Sequence, residues 1–550
     1  MDWDGIRCPV TRKGGFGPPL LLVAVLTLSG ALSVAVVAQE RPEPPAPAPG
    51  GALYRRPLGN DPPTLDPVRI SDIYGRSVAE QIFDGLVRFD QTLTITPALA
   101  RYWKASRDGL TWTFTLRQGV KFHHGREVTA EDVVYSLTRI LDPRTRSGAA
   151  DSFAGIEGAQ AFREGRARQV SGLVAVDRHT VRVTLSETQA PFVSVLALGH
   201  AKIVPRELVG EQGEGFGVHP VGTGPFRFLR WERGKEIVLG ANAEYWDGPP
   251  RLSRIVYRIF PGESSDLICR EFEQGGLEES PVPPPCRSKA GDPRYQYVRR
   301  STFSVRFYGF NTRLRPLADP RVRQAIAYAV DRERILQEIF LGRYQPARGI
   351  LPPGMPGHNP QLRAIPHSPA RARALLREAG YPEGRGLGPI AIWSSVKGER
   401  IERELEVVKR QLATVGIPLE IHYDTGWPSF SRGLAEGRFP MFLYAWYADV
   451  PDPDNFLFKL FHSRTPRSLT GYANPVVDDL LREARHEPDL SRRIDLYRRA
   501  EQRILDDAPV IPVWHYTYER LFQPYVKSVE VNGLGDPYIP LRKIWLEGRR

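Results

Sequence analysis

Between Leu110 and Phe122 the chain reads LTWTFTLRQGVKF, and its apolar residues fall on every second position. Leu110, Trp112, Phe114 and Leu116 share one face and threonines hold the other, the period of a half-buried strand. The RQG turn then leads to a predicted second strand. The period changes at TAEDVVYSLTRIL, where Val133, Leu137 and Ile140 share a helical stripe and Thr129 with Asp132 forms a variant capping box. An earlier helix is predicted around Tyr74 to Phe83, and GLVAVDRHTVRVTL reads as a hairpin. Farther on, ADPRVRQAIAYAVDRERILQEIF predicts one long helix capped by Asp319, with Pro320 at its first position. SPARARALLREAG is a helix between Ser368 and Gly380, and ERIERELEVVKRQLATVG one that stops at Gly416. Strands IPLEIHYD and FPMFLYAWYA follow, then the helix SRRIDLYRRAEQRILDDA and the strand VIPVWHYT. Helices alternating with short apolar strands imply an α/β architecture.

The first residues carry a different pattern. Basic residues precede an apolar run from Pro19 to Ala38, with Val36 and Ala38 at a cleavage point. Residues 1–38 therefore read as a secretory signal, with an uncleaved membrane anchor as the alternative. No cysteine follows the run, which excludes lipid attachment there. RPEPPAPAPGG makes 39–51 an extended Pro/Ala linker. In an exported chain Cys269 and Cys286 are the only pair, and an oxidising compartment favours a disulfide between them.

Over 550 residues, two to four domains are expected. The net charge of +12 comes with scattered arginine, not with a dense basic block interleaved with aromatics, so it reads as a solvated basic surface rather than a nucleic-acid site. Enzyme motifs are missing. There is no G-x-S-x-G and no P-loop, and HEPDL fails as a zinc-protease motif. A strand pattern follows the glycines of VGTGPF, where a phosphate cradle needs a helix. His123 and His124 are adjacent, poor geometry for joint metal ligation on a strand. No cofactor, metal or catalytic residue is expected.

Seven stretches in order carry a resemblance. They are TLDP near Asp66, QIFDGLVRFD, LTWTFTLRQGVKFHHGREVTAEDVVYSL, HPVGTGPFRF, GANAEYWDGPP, FYGFNTRLRPLADPRVRQAIAYAVDRERI and WYADVPDPDNF. From about Leu58 to the end the chain resembles the family 5 extracellular solute-binding proteins, the peptide-, dipeptide- and nickel-type receptors of ABC importers. His124 stands where an acid is more usual in that family's turn. The resemblance implies a two-lobe α/β fold of the periplasmic-binding-protein type II, with an extra subdomain and a hinge. It places 52–75, 222–311 and 510–550 in lobe I, 76–221 in the extra subdomain and 312–509 in lobe II. Hinge strands are expected near GFNT and PVIPVW.

The same resemblance implies a site. Asp449, at the end of the FPMFLYAWYA strand, matches the aspartate that holds a peptide's α-amino group in peptide-binding members. A carboxylate in a closed cleft needs a partner, and an ammonium supplies one. Trp446 and Trp427 match walls of side-chain pockets. Main-chain contacts are expected from the VGTGPF glycines, Ser304, Tyr308, and Ser71 or Asp72. Lys397 or Arg400, in WSSVKGER, is the candidate cation for a peptide carboxylate, although no arginine falls cleanly on the dipeptide-type position. The expected protein is a periplasmic or cell-surface monomer that binds peptides or peptide-like amines and hands them to a membrane permease. Two alternatives stay open: the same fold binding a metal chelate, an oligosaccharide or an opine-like solute, and a secreted hydrolase or anchored sensor on this scaffold.

Overall fold

The computed structural model describes residues 52–260, 265–465 and 468–548. The expected signal segment and linker lie outside them. No helix among the described residues is long and apolar enough to cross a membrane.

One lobe is built on two sheets. Leu53–Leu58 runs parallel to Arg254–Ile259, which continues antiparallel through Glu236–Ala241 to Phe226–Glu232. Thr517–Phe522 lies between Glu279–Pro281 and Gln296–Ser301. Tyr54, Val78, Ile82, Phe83, Ile255 and Phe522 meet in its core. Beside them a four-stranded antiparallel sheet joins Ala100–Ala105, Thr111–Leu116, Thr180–Thr184 and Leu173–Asp177. Phe114 and Leu116 are buried as the alternation requires. The expected second strand after RQG does not form. Only a single bridge, Lys121 to Glu127, is made there, and the partners of Thr111–Leu116 come from Ala100–Ala105 and Thr180–Thr184.

The other lobe is a three-layered sandwich. Its six-stranded sheet runs Gln345–Pro346, Val510–His515, Ser304–Phe310, Met441–Tyr447, Ile390–Ser394 and Leu419–Tyr423. Tyr308, Phe310, Met441 and Leu443 pack under one helical layer, which includes Pro320–Ala329 and Glu399–Ala413. Val305, Phe307, Phe442 and Trp446 pack under the other, which includes Pro475–His486 and Leu490–Asp507. Ser304–Phe310 and Val510–His515, counted from the sequence with lobe I, are hydrogen-bonded into this second sheet. The chain passes between lobes just before Ser304–Phe310 and just after Val510–His515. Thr302 N donates to Tyr516 O at 3.0 Å, and Tyr516 N donates to the Ser304 hydroxyl at 3.1 Å.

Several local expectations find physical explanations. The Asp132 carboxylate accepts from Thr129 N at 2.9 Å at the start of Ala130–Leu141. The long helix after Asp319 is instead two, Pro320–Ala329 and Arg332–Glu338. Asp331 accepts from Arg334 N at 3.0 Å, and this internal cap restarts the helix. The glycines of VGTGPF serve packing: a Cβ on Gly222 would stand 2.1 Å from Ile82 O, and one on Gly224 2.5 Å from Ile82 C. Cys269 and Cys286 are joined by a disulfide, with Cα atoms 5.7 Å apart.

Asn474 caps Pro475–His486, an element that goes unnoticed in the sequence although its Asn-Pro start is a known signal. Its side chain accepts from Val476 N at 3.0 Å and donates to Asp507 at 2.7 Å. Asn474→Ala is expected to cost about 1 kcal/mol, read as a lower urea midpoint with an unchanged slope.

Candidate interlobe site

The apolar strand Met441–Tyr447 runs out into three aspartates, and the structure gives each a separate task. Asp452 is buried and takes a 2.6 Å ion pair from Arg493. Asp454 accepts from the Tyr497 hydroxyl at 3.2 Å; burial pushes its pKa up, against the pull of Arg485. Asp449 alone is turned toward the first lobe, with 30% of its side chain exposed. Asn455 fixes the turn. Its carbonyl accepts from Asp449 N at 3.1 Å and from the Trp446 indole at 3.3 Å.

Two cations already face Asp449. Lys459, on the short helix Leu457–Phe461, donates to its Oδ2 at 2.7 Å. Arg76, on Ile73–Ile82 of the first lobe, stands 4.0 Å from its Oδ1. Burial pushes the Asp449 pKa up, but Lys459 and then Arg76 outweigh it and hold the carboxyl at about 2. Lys459 also lies 5.2 Å from the centre of the Trp446 ring. Behind Arg76, Lys202 pairs with Glu80 at 2.6 Å. His200 donates from Nε2 to Ile70 O at 2.9 Å, and its buried Nδ1 has no partner among the described residues. Burial, with Arg76 nearby, lowers its pKa to about 4, so the ring is neutral.

The lobes touch elsewhere too. Ala190 N donates to Arg485 O at 3.0 Å, Thr188 and His486 side chains meet at 3.2 Å, and Val450 is buried in the core beneath the four-stranded sheet.

The other candidate residues are dispersed. Trp446 is 7% exposed and mostly core, though it abuts Lys459. Trp427 is 55% exposed, on the Trp427–Ala435 helix, its ring roughly parallel to that of Tyr444. Tyr447, not singled out from the sequence, is 53% exposed and stacks on Tyr516 at the interlobe crossing. Tyr308 is fully buried and donates to Glu404 at 2.7 Å, which leaves its hydroxyl no ligand to reach. Ser304 is fully buried too, its hydroxyl spent on Thr302 and Tyr516. Asp72 caps Ile73–Ile82, accepting from Gly75 N at 2.8 Å, and Ser71 beside it is exposed. Lys397 lies 5.6 Å from the Tyr423 ring centre, and Arg400 is exposed on the first turn of Glu399–Ala413. Neither has an ion pair with a carboxylate of the Asp449 cluster among the described residues. Arg76 and Lys459 were missed because only the fold brings them to Asp449.

No group of three or more His, Cys, Asp or Glu able to hold a metal occurs among the described residues.

Residues 94–467 match the bacterial extracellular solute-binding proteins, family 5 Middle. The chain belongs to that family. It is 31% identical over 471 residues to di/tripeptide-binding protein 2 of Pseudomonas aeruginosa, covering 82% of this chain and 88% of the relative. It is also 31% identical over 474 residues to heme-binding protein A of Haemophilus influenzae, covering 82% and 84%. Among solved structures, the Helicobacter pylori periplasmic binding protein DppA in complex with the peptide STSA superposes with a TM-score of 0.76. It is 27% identical, with 90% of this chain and 98% of that one covered. This family 5 chain thus shares the two-lobe α/β fold of these receptors.

Proposed function

We propose that this chain is the solute-binding component of an ABC importer, capturing small peptides or peptide-like amines between its lobes and delivering them to a membrane permease. One observation carries the reading: Asp449 projects from the second lobe toward the first and already holds an ammonium, that of Lys459, at 2.7 Å. A ligand's α-ammonium fits the same carboxylate by the same charge-assisted hydrogen bond. A ligand without an amine leaves Lys459 undisturbed and gains nothing there, so an amine is selected. The di/tripeptide-binding relative and the peptide-bound structure support a peptide as the solute. Trp427 and Tyr447, both exposed, offer flat apolar walls that tolerate varied side chains.

Closure is a rigid-body rotation about the two interlobe crossings. The hinge belongs at 302–303, one strand-length before GFNT, and at Tyr516, immediately past PVIPVW, because pairing switches from one lobe's sheet to the other there. The working unit is a single chain, and binding proceeds without chemical conversion of the solute.

Asp449→Asn is expected to weaken binding of an Ala-Ala dipeptide at least tenfold, about 1.4 kcal/mol, by titration calorimetry. Equal affinity in the two proteins overturns the amine-anchor role. Native mass spectrometry of gently purified protein is expected to release short peptides; a single non-peptide mass replaces the peptide with another solute.

A further inference from the structure

The second lobe meets the four-stranded module of the first at three points apart from the Asp449 carboxylate. Ala190 N donates to Arg485 O at 3.0 Å. Thr188 Oγ1 lies 3.2 Å from His486 Nδ1. Val450, 4% exposed, is the one residue of 312–509 within the module's buried core among the described residues. Both sides hold these groups in place. On the first lobe, Ser186 N donates to Gly155 O at 2.9 Å and Phe192 N to Gln189 O at 3.0 Å. Gln189 is buried against Gly155, where a Cβ would collide with its side-chain amide. The turn at 188–190 is thereby fixed with the Ala190 N–H toward the second lobe. On that lobe, Asp452 N donates to Val450 O at 2.9 Å and sets the turn that carries the valine.

Arg485 lies in the last turn of Pro475–His486, and the final carbonyls of a helix have no donor within it. Ala484 O is satisfied from its own lobe, by Arg493 Nε at 3.2 Å. Arg485 O takes its donor from the other lobe, so one lobe caps a helix of the other. The neighbouring contact holds in either state of the imidazole: the Thr188 hydroxyl donates to a neutral ring nitrogen and accepts from a protonated one. Parting the lobes breaks both polar contacts and returns Val450 to water, which opposes opening.

Resting on hinge closure but not on the amine-anchor reading of Asp449, we infer that Thr188, Ala190 and Val450 form a clasp: the four-stranded module is the jaw on which the second lobe shuts. The clasp uses a backbone amide, a helix-end carbonyl, a hydroxyl with an imidazole, and one valine. None of these is a candidate solute contact. It therefore shifts the balance between open and closed lobes by the same factor whatever the solute, and multiplies the affinity that the cleft itself provides. Cleft chemistry selects the solute, and the clasp sets how readily the lobes shut on it. Val450 follows Asp449 in the chain, so a solute that draws Asp449 toward the first lobe also seats the valine.

Amide-resolved hydrogen exchange of the purified chain, with no solute added, reads the clasp. Ala190 is an exposed turn residue, so protection of its amide reports the bond to Arg485 O. That amide is expected to exchange at least about tenfold more slowly than in an unstructured chain. Val450→Ser is expected to remove most of the protection and to enlarge the radius of gyration measured by small-angle X-ray scattering. Thr188→Val, which keeps the shape and removes the hydroxyl, is expected to move both readouts the same way. It takes the place of Val450→Ser if circular dichroism shows that variant to be unfolded. Free exchange of Ala190 in the parent, or protection unchanged in the folded variant, overturns the clasp and leaves hinge closure standing. Protection lost at an unchanged radius overturns the jaw together with the hinge closure beneath it. The amine anchor is decided separately, by Ala-Ala binding to Asp449→Asn.

Discussion

Glu404→Ala is expected to destabilise the second lobe by about 3–5 kcal/mol, the scale for stripping one member from a buried ion pair. Glu404 is fully buried beneath the sheet. It accepts from Arg306 Nη2 at 3.0 Å and from the Tyr308 hydroxyl at 2.7 Å. Burial raises its pKa, against the opposing pull of Arg306. Without it, Arg306 keeps a single hydrogen bond to Tyr516 and a face of Trp514, 4.7 Å to the ring centre, inside a core that excludes water. Replacing both partners by apolar residues, Arg306→Met with Glu404→Leu, is expected to restore most of the loss, because the cost lies in the abandoned charge. Guanidinium denaturation of the three proteins checks this. A single variant as stable as the parent removes the pair from the stability of the lobe.

A second large effect is pH-dependent. Glu501, on Leu490–Asp507, is buried with one oxygen accepting from Ile350 N at 2.7 Å and Leu351 N at 2.8 Å. Burial raises its pKa from 4.5 to about 7; the two N–H groups and Arg498 only partly oppose this. The folded state therefore holds this proton more firmly than the unfolded chain. Its contribution is full below about pH 4.5 and is lost as pH rises to about 7, a total of about 3 kcal/mol by linkage. Glu501→Gln keeps the accepting oxygen and never ionises. The variant is expected to match the parent near pH 4.5 and to exceed it by about that amount above pH 7. The comparison is read as a difference at each pH, since the buried His123, His200 and His515 act oppositely, with pKa values lowered to about 4 chiefly by burial. A difference that stays constant with pH removes Glu501 as the titrating group.

What could be read in the sequence was local or patterned. The Thr129–Asp132 cap depends on residues three apart, and the Trp112–Leu116 alternation on one half-buried face, so each declares itself within a few positions. The break at Asp331 is local as well, yet the apolar period runs across it and hides the internal cap. Ser304 and Tyr308 show a different limit. Their strand is buried throughout, between two helical layers, so period 2 disappears and no position marks which side faces the cleft. Asp449 was legible only through the family's pattern. Its partners were not, because Arg76 lies in another lobe and Lys459 on the next helix, and neither has a distinguishing neighbourhood in the chain.

The continuity of the second lobe has a consequence for the order in which the chain takes shape. Every strand of its sheet lies between Ser304 and His515, so one unbroken stretch of nascent chain contains that whole sheet. The first lobe has no such independence. Glu279–Pro281 and Gln296–Ser301 have to wait more than two hundred residues for Thr517–Phe522 to emerge between them, and Arg56 and Glu279 wait for Arg520 and Asp536. Domains that fold during synthesis do so as their residues become available. The half carrying Asp449 is therefore ready to assemble first, and the half carrying Arg76 is completed only when the last strand leaves the ribosome.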